Sequence, residues 1–78
     1  MKKKSDEFGP VLCQLRQQRN LTQEQLSELV GTSSSFISML ESSHKYPNLE
    51  MLFKLAHALG IPAGRFLDEM DKRLEESR

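Results

Sequence analysis

The hydrophobic residues of this 78-residue chain recur at intervals of three and four positions, the spacing of one buried stripe on a helix. Five such stripes follow one another along the chain: Phe8, Val11, Leu12 and Leu15; Leu26, Leu29 and Val30; Ile37 and Leu40; Leu49, Leu52, Leu55, Ala56 and Leu59; Ala63, Phe66, Leu67, Met70 and Leu74. No segment alternates with a period of two for long enough to form a strand. The pattern therefore predicts an all-α fold, a bundle of five helices.

Capping residues predict where the central helices begin and end. Thr22 and Gln25 match a capping box, so a second helix is expected over about 23–30, with Gly31 as its stop. Ser33 can cap a third helix over about 34–42. Asn48 is expected to cap the start of the fourth helix, and Gly60 to end it. Pro62 is expected to open the fifth helix. These boundaries predict one folded domain over 8–75, a flexible basic arm over 1–7 and a short tail over 76–78.

Composition limits the classes of protein that fit. Eleven acidic and eleven basic residues give a net charge of zero, so any nucleic-acid binding must come from the placement of charge. No apolar run approaches the roughly 18 residues of a membrane span, and no signal-peptide core follows the first residues. The single cysteine, Cys13, has no partner for an internal disulfide, which suits a reducing cytoplasm. We therefore expect a cytoplasmic protein, bacterial or phage-encoded and associated with the nucleoid.

Catalytic and metal-binding patterns are missing from the sequence. It contains no glycine-rich phosphate loop and no identifiable Ser/His/Asp arrangement, and His44 and His57 are interpreted as surface residues. One cysteine and two separated histidines give no metal-ligand spacing. We expect no enzymatic activity, no metal, no cofactor and no small-molecule ligand.

The segment from Thr22 to Ser42 predicts two short helices joined by a tight turn at Gly31. On a helical wheel, Ile37 and Leu40 of the second of these helices face the core. The opposite, uncharged face carries Ser34, Ser35, Ser38, Met39 and Ser42. Short hydroxyl side chains let a helix approach the base edges of the DNA major groove closely. The alternative is that the serines only cap the helix and keep its surface soluble.

Residues 12–67 resemble the helix-turn-helix of the phage-repressor and Cro family of DNA-binding proteins, and the small bacterial regulators in particular. The matching segments are Leu15-Arg16 with Arg19, Leu21-Thr22-Gln23-Glu24-Gln25-Leu26, Gly31-Thr32-Ser33, Phe36-Ile37-Ser38, Leu40-Glu41, Pro47, Leu55-Ala56 and Leu59-Gly60-Ile61. The order and spacing of these segments are specific, although each alone is weak. The resemblance implies a lambda-repressor-like five-helix bundle that recognises double-stranded DNA operators, commonly as a two-fold dimer.

The resemblance also implies roles for residues of the second and third helices. Gln23 matches a position that contacts a DNA phosphate, in agreement with the affinity of helix N-termini for anions. The matching base-reading and groove-lining positions are Ser34, Ser35, Phe36, Ser38 and Met39. Phe36 lies at the edge of the core on the wheel, so packing is as good an interpretation of it as contact with a thymine methyl group.

Glu41 lies at the margin of the predicted buried face, where a carboxylate needs a partner. Periodicity alone leaves both Arg16 and Arg19 open as that partner. The resemblance favours a salt bridge between Arg16 and Glu41, and leaves Arg19 for a phosphate.

The loop after the third helix matches a region that contacts backbone phosphates, here with Ser42 and Lys45 as the candidate residues. Two features depart from the family pattern: Ser43 stands where glycine or asparagine is common, and the third helix presents no Lys, Arg or Gln. Basic residues Lys2, Lys3 and Lys4 are either an arm that reaches DNA or a solvated tail.

The stripe of the fifth helix is longer than a small bundle needs. Its members Phe66, Leu67, Met70 and Leu74 are predicted to form a homodimer interface, the alternative being that they only close the monomer core. The resulting prediction is a sequence-specific transcriptional regulator, a repressor acting as a homodimer on a palindromic operator. The alternative is an antitoxin or adaptor that binds a partner protein and has weak affinity for DNA.

Overall fold

The computed structural model describes residues 3–76, and within that range it contains five α-helices, one short 3-10 helix and no strand. The 3-10 helix spans Lys4–Glu7, and the α-helices are α1 Phe8–Gln18, α2 Gln23–Val30, α3 Ser34–Glu41, α4 Leu49–Leu59 and α5 Gly64–Glu76. The all-α prediction is confirmed. No helix within residues 3–76 is long and apolar enough to cross a membrane.

Local capping chemistry sets the bounds of α2 and α3. The Thr22 hydroxyl accepts a hydrogen bond from the Gln25 backbone N–H at 3.0 Å, and the Gln25 side chain accepts one from the Thr22 N–H at 2.9 Å. Gly31 ends α2 in the left-handed conformation, with φ of 78°. Ser33 then accepts from the Phe36 N–H at 3.1 Å and begins α3. Both helices therefore lie where the sequence predicts them, apart from one residue at the end of α3.

The helix α5 begins two residues later than predicted. Pro62 and Ala63 form a turn in which their carbonyl groups accept hydrogen bonds from the N–H groups of Arg65 and Phe66, at 3.0 and 3.1 Å. The α-helix starts only at Gly64. Pro62 thus directs the chain into α5 without belonging to it.

The core lies where the five α-helices meet. Its buried hydrophobic residues are Phe8, Val11, Leu12, Leu15, Leu26, Val30, Ile37, Leu40, Leu55, Ala56, Leu59 and Phe66. The rings of Phe8 and Phe66 lie 5.3 Å apart between centroids and join α1 to α5. All of these residues belong to the predicted stripes, because the helical period places the residues of each stripe on one face.

Two leucines assigned to the core lie on the surface. Leu29 is 60% exposed and Leu49 is 73% exposed. In α2 the buried face contains Leu26, Ser27 and Val30, so it is rotated away from Leu29. Ser27 occupies this apolar face because its hydroxyl donates to the Glu24 carbonyl at 2.6 Å. Leu49 is the first residue of α4, and the buried residues of this helix come later, at Leu55, Ala56 and Leu59.

The chain termini also differ from the prediction. Lys4–Glu7 form a 3-10 helix where the sequence predicts an arm, because Glu7 is buried, with only 1% of its surface exposed, against Arg73 of α5. The helix α5 continues to Glu76, one residue beyond the predicted end of the domain. The rest of the predicted arm and tail, Met1, Lys2, Ser77 and Arg78, lies outside the described residues.

Candidate nucleic-acid interface

The outer face of α3 is lined by small polar side chains. Ser34, Ser35 and Ser38 are exposed, whereas Ile37 and Leu40 on the opposite face are completely buried. The face carries no charge, because the only ionisable side chain of α3 is Glu41 at its end. The serine hydroxyls can each donate or accept a hydrogen bond, and their short side chains leave the helix backbone accessible to a groove.

Two larger side chains border the serines. Phe36 is half-buried and packs against the core cluster, so much of its ring is committed to the fold. Met39 is also half-buried, and its carbonyl accepts hydrogen bonds from the N–H groups of His44 and Lys45 at 2.9 and 3.2 Å. Met39 therefore contributes both to the face of α3 and to the turn that follows it.

The end of α3 is held by a two-bonded ion pair between Arg16 and Glu41. Arg16 Nε donates to Glu41 Oε2 at 2.6 Å and Arg16 Nη2 to Glu41 Oε1 at 3.1 Å. The side chains are only 11% and 7% exposed. Arg16 Nη1 also donates to the Leu21 carbonyl at 2.7 Å, which ties the pair to the segment between α1 and α2. Of the two arginines that periodicity leaves open, Arg16 is the one that pairs with Glu41.

Gln23 completes this cluster from α2. Its side-chain nitrogen donates to Glu41 Oε1 at 3.0 Å, so the carboxylate receives hydrogen bonds from both α1 and α2. Burial opposes ionisation of Glu41, but the hydrogen bonds from Arg16 and Gln23 outweigh it and lower the pKa of this carboxyl below its ordinary value. The hydrogen bond to Glu41 in turn raises the pKa of Arg16. Both groups are therefore ionised near neutral pH.

Cys13 lies against the same cluster, which the sequence does not reveal. Arg16 Nη2 is 3.7 Å from Cys13 Sγ. Burial and the nearby Glu41 carboxylate raise the pKa of the thiol above its ordinary value. The thiol is therefore protonated near neutral pH and is a poor nucleophile.

A close approach between α1 and α3 depends on Gly9, which lies in the first turn of α1. A Cβ atom at position 9 would meet the backbone carbonyl oxygens of Glu41 and Leu40, the latter at 2.8 Å. Real Cβ atoms do not come this close to a neighbouring backbone. The missing side chain of Gly9 thus lets α1 lie directly against the end of α3, and the only signal in the sequence is the glycine itself.

The predicted phosphate-contacting residues lie on separate elements. Gln23 is the first residue of α2, and Ser42 and Lys45 are both exposed in the loop after α3. The Ser42 hydroxyl donates to the Met39 carbonyl at 3.3 Å and lies 2.7 Å from His44 Nδ1. Arg19 lies elsewhere, at the end of α1, where its guanidinium donates to the carbonyl of Gly60 at 3.4 Å. The structure thus places Arg19 beside the end of α4.

The loop after α3 has an unusual backbone at Ser43, whose φ is 65°. This left-handed conformation favours glycine or asparagine, which explains why those residues are common at the matching family position. The Ser43 hydroxyl donates to the carbonyl of Asp6 at 3.3 Å. Nearby, the Tyr46 hydroxyl donates to Asp6 Oδ1 at 2.7 Å, and this bond to a carboxylate raises the pKa of Tyr46.

The predicted dimer residues of α5 divide into two groups. Leu67 is 56% exposed, and Met70 and Leu74 are half-buried. Phe66 has no exposed surface, because its ring packs against Phe8 in the monomer core, so the prediction that it contacts a second protomer is corrected. Leu67 and Met70 border a groove of about 180 Å³ whose lining residues are Ser5, Phe8, Tyr46, Pro47, Leu52, Phe66, Leu67 and Met70.

The two histidines lie apart from any cluster of metal ligands. His44 and His57 are exposed, in the loop after α3 and on α4. Among residues 3–76 no group of three or more His, Cys, Asp or Glu side chains is placed to hold a metal ion.

Comparison with known proteins identifies the fold. The family model for the helix-turn-helix matches residues 14–66, which include α2, the turn at Gly31 and α3. The chain belongs to the Cro/C1-type helix-turn-helix family. The matched residues include both helices of the motif, α2 and α3, and the cluster of Arg16, Gln23 and Glu41 lies at the end of α3.

Similar helix-turn-helix proteins include transcriptional regulators. The HTH-type transcriptional activator BcrR of Enterococcus faecalis is 52% identical over 46 residues, which are 59% of this chain. The chain spans 22% of the length of BcrR.

Solved structures share the architecture as well. The clp gene regulator ClgR of Corynebacterium glutamicum superposes with a TM-score of 0.86 at 26% identity, over 94% of this chain and 95% of ClgR. PlcR of Bacillus thuringiensis, solved in complex with the peptide PapR7 and DNA, gives a TM-score of 0.73 at 29% identity, over 90% of this chain and 26% of PlcR. This helix-turn-helix chain therefore has the fold of known gene regulators.

Proposed function

We propose that the chain is a sequence-specific transcriptional repressor that binds a palindromic operator as a homodimer. The observation that supports this proposal most directly is the uncharged serine face of α3. The end of this helix is fixed by hydrogen bonds from Arg16 and Gln23 to Glu41. A rigidly held recognition helix loses little freedom when it enters the major groove. The PlcR complex with DNA and the transcriptional regulators among the similar proteins support DNA binding and a regulatory role.

Base reading is assigned to Ser34, Ser35 and Ser38, with Met39 at the edge of the face and Phe36 partly committed to the core. Without Arg or Lys on α3, the bidentate contact to guanine is not made by this helix. Serine hydroxyls, bridging water and operator shape supply the specificity instead. The individual contacts are weak, so a dimer that doubles their number suits this face.

Phosphate contacts come from residues on either side of the recognition helix. Gln23 lies at the N-terminus of α2, where free N–H groups attract an anion. Its amide nitrogen carries two N–H groups, and Glu41 uses one of them. Ser42 and Lys45 are exposed in the loop after α3. Arg19 is a weaker candidate, because its guanidinium is directed to Gly60.

The dimer interface is assigned to the outer side of α5, with Leu67 at its centre and Met70 and Leu74 beside it. An exposed leucine next to an apolar groove provides both a projecting side chain and a place to receive its symmetry mate, as a two-fold interface requires. A palindromic operator would then have half-sites about 34 Å apart. Repression needs only that the dimer occupies a promoter, and no enzymatic step is part of this mechanism.

Selection of bound sequences from a random DNA pool, followed by titration of binding with salt, tests the proposal. We expect a palindromic consensus and an affinity that falls steeply as salt rises from 50 to 200 mM, because several phosphates are contacted. Ser38→Ala should weaken consensus binding about fivefold and leave binding to random duplex unchanged. His57→Ala, on the exposed side of α4, is the matched control. Absence of binding to any duplex at 50 mM salt would instead favour a protein-interaction module.

A further inference from the structure

The N-terminal 3-10 helix, Lys4–Glu7, lies between the loop that follows the recognition helix and α5. On the loop side, Asp6 accepts two hydrogen bonds, from the Tyr46 hydroxyl to its carboxylate at 2.7 Å and from the Ser43 hydroxyl to its carbonyl at 3.3 Å. These contacts join parts of the chain that are about 40 residues apart in sequence. The first turn of the described chain is therefore attached to the loop that carries Lys45.

The opposite side of the same 3-10 helix is anchored to α5. Arg73 Nε donates to Glu7 Oε1 at 3.1 Å, and Glu7 is 1% exposed. Lys4 Nζ lies 3.2 Å from Asp71 Oδ1 in a second, exposed ion pair. A buried carboxylate is held in place by its cation, because separating the two leaves an uncompensated charge. Glu7 thus fixes the 3-10 helix, and Asp6, the preceding residue, is presented to the loop.

The loop needs such a support because its backbone is not in a relaxed conformation. Ser43 adopts a left-handed φ of 65°, which is unfavourable for an L residue with a side chain. Only two residues further on, the Lys45 N–H bonds to the Met39 carbonyl, so the position of Lys45 depends on this turn. Tyr46 follows directly, and 50% of its surface is exposed, so this residue is not part of the buried core. Its hydroxyl donates the hydrogen bond to Asp6.

We infer that Asp6 and Tyr46 are positioning residues for DNA binding: their hydrogen bond holds the loop after α3 in the shape that brings Lys45 to a phosphate. This inference rests on the proposed function, since it requires that Lys45 contacts DNA. Loss of the bond leaves the fold intact but lets the loop sample other conformations. The loop must then become ordered when DNA binds, and the entropy lost in this step weakens the affinity for DNA. Neither residue needs to touch DNA itself.

Tyr46→Phe tests the inference, because it keeps the aromatic ring and removes only the hydroxyl. We expect operator affinity about three- to tenfold weaker, and a salt slope smaller in magnitude by about one, as for loss of one phosphate contact. Lys45→Ala should change the slope by a similar amount in the natural chain and by much less in the Tyr46→Phe background. Asp6→Ala should reproduce Tyr46→Phe, whereas Asp6→Asn keeps an oxygen acceptor for the hydroxyl and should retain most of the affinity.

Two further measurements separate positioning from a general loss of structure. The thermal midpoint of Tyr46→Phe should stay within a few degrees of the natural chain, and amide hydrogen exchange at Ser43, His44 and Lys45 should become faster without DNA. A natural salt slope in Tyr46→Phe would overturn the inference and leave the proposed function standing. If the natural chain binds no duplex at 50 mM salt, both the proposed function and this inference are wrong. The two failures are therefore distinguishable by the binding of the natural chain.

Discussion

Gln23, the first residue of α2, donates a hydrogen bond to Glu41, the last residue of α3, over 3.0 Å. Arg16 of α1 binds the same carboxylate with two further hydrogen bonds. The start of the helix-turn-helix is thereby joined to its end, and both are joined to the preceding helix. The angle of α3 is set by these directional bonds as well as by the apolar contacts of the buried Ile37 and Leu40.

Removal of the Glu41 carboxylate should therefore destabilise the whole domain. Glu41→Ala leaves the Arg16 guanidinium, which is 11% exposed, without its anion, and breaking a buried ion pair in this way costs about 3 kcal/mol. For a domain of this size the thermal midpoint should fall by more than about 10 °C. Circular dichroism melting provides the measurement, with the exposed Glu28→Ala as the control. Equal midpoints for Glu41→Ala and the natural chain would contradict a structural role for the pair.

The same carboxylate should make stability depend on pH in the acidic range. The pKa of Glu41 in the folded chain is lowered from its ordinary value of 4.5, because the hydrogen bonds from Arg16 and Gln23 outweigh the effect of burial. Its stabilising contribution is then complete above about pH 4.5 and is lost as pH falls through the folded pKa.

Glu41→Gln carries no titrating group at this position and isolates that contribution. Melting temperatures of the natural chain and of Glu41→Gln, measured from pH 7 to pH 3, should differ most at neutral pH and converge towards pH 3. Other carboxylates titrate equally in both proteins, so only the difference between the curves matters. A constant difference across the range would show that ionisation of Glu41 does not stabilise the fold.

Gly9→Ala should be destabilising although alanine is the better helix former. In a helix interior alanine is favoured over glycine by about 1 kcal/mol, so any loss must come from the contact with the carbonyls of Leu40 and Glu41. Forcing α1 away from the end of α3 should lower the free energy of unfolding by about 1–3 kcal/mol and weaken DNA binding.

The chain offers a matched control in Gly64, the first residue of α5, where a Cβ atom would meet nothing within 4 Å. Gly64→Ala should leave the stability equal or slightly higher. Urea denaturation of both variants separates the contact from the change in helix propensity. Equal effects of the two substitutions would mean that α1 and α3 do not approach as closely as the structure indicates.

The parts of the fold that the sequence predicted are those fixed within a few residues of the chain. Thr22 and Gln25 form a capping box because the two residues need only each other, and Gly31 ends α2 because its own backbone permits a left-handed turn. The faces of α3 followed from the helical period for the same reason. Such features do not depend on what packs against them.

The features that were missed depend on residues distant in sequence. Leu29 and Ser27 both lie on α2, and the way in which α3 and α4 pack against this helix decides which of them is buried. The 3-10 helix exists because Glu7 meets Arg73, 66 residues away, and Gly9 is required because α3 passes over it. For the candidate site, the partner of Glu41 needed the family resemblance, since periodicity alone allowed either Arg16 or Arg19.

Leu67→Glu tests the proposed dimer interface directly. The same substitution at Leu29, an equally exposed leucine on a different helix, serves as the control. Leu67 of α5 is 56% exposed and Leu29 of α2 is 60% exposed, so a glutamate at either position costs the monomer little. In a two-fold interface centred on α5, each glutamate would face its own symmetry mate, and like charges brought together repel. Leu67→Glu should therefore sediment as a monomer at tens of micromolar, whereas Leu29→Glu should remain a dimer.

Affinity for the operator should likewise fall in Leu67→Glu and not in Leu29→Glu. A monomer contacts one half-site, so Leu67→Glu should lose at least about 100-fold in affinity for the palindrome, since the second half-site is no longer tethered. Its affinity for an isolated half-site should be unchanged, because α3 and the loop after it lie on other elements. Leu29→Glu should bind the palindrome like the natural chain. A dimer that survives Leu67→Glu but dissociates with Leu29→Glu would move the interface to the surface formed by Leu29 and Phe53.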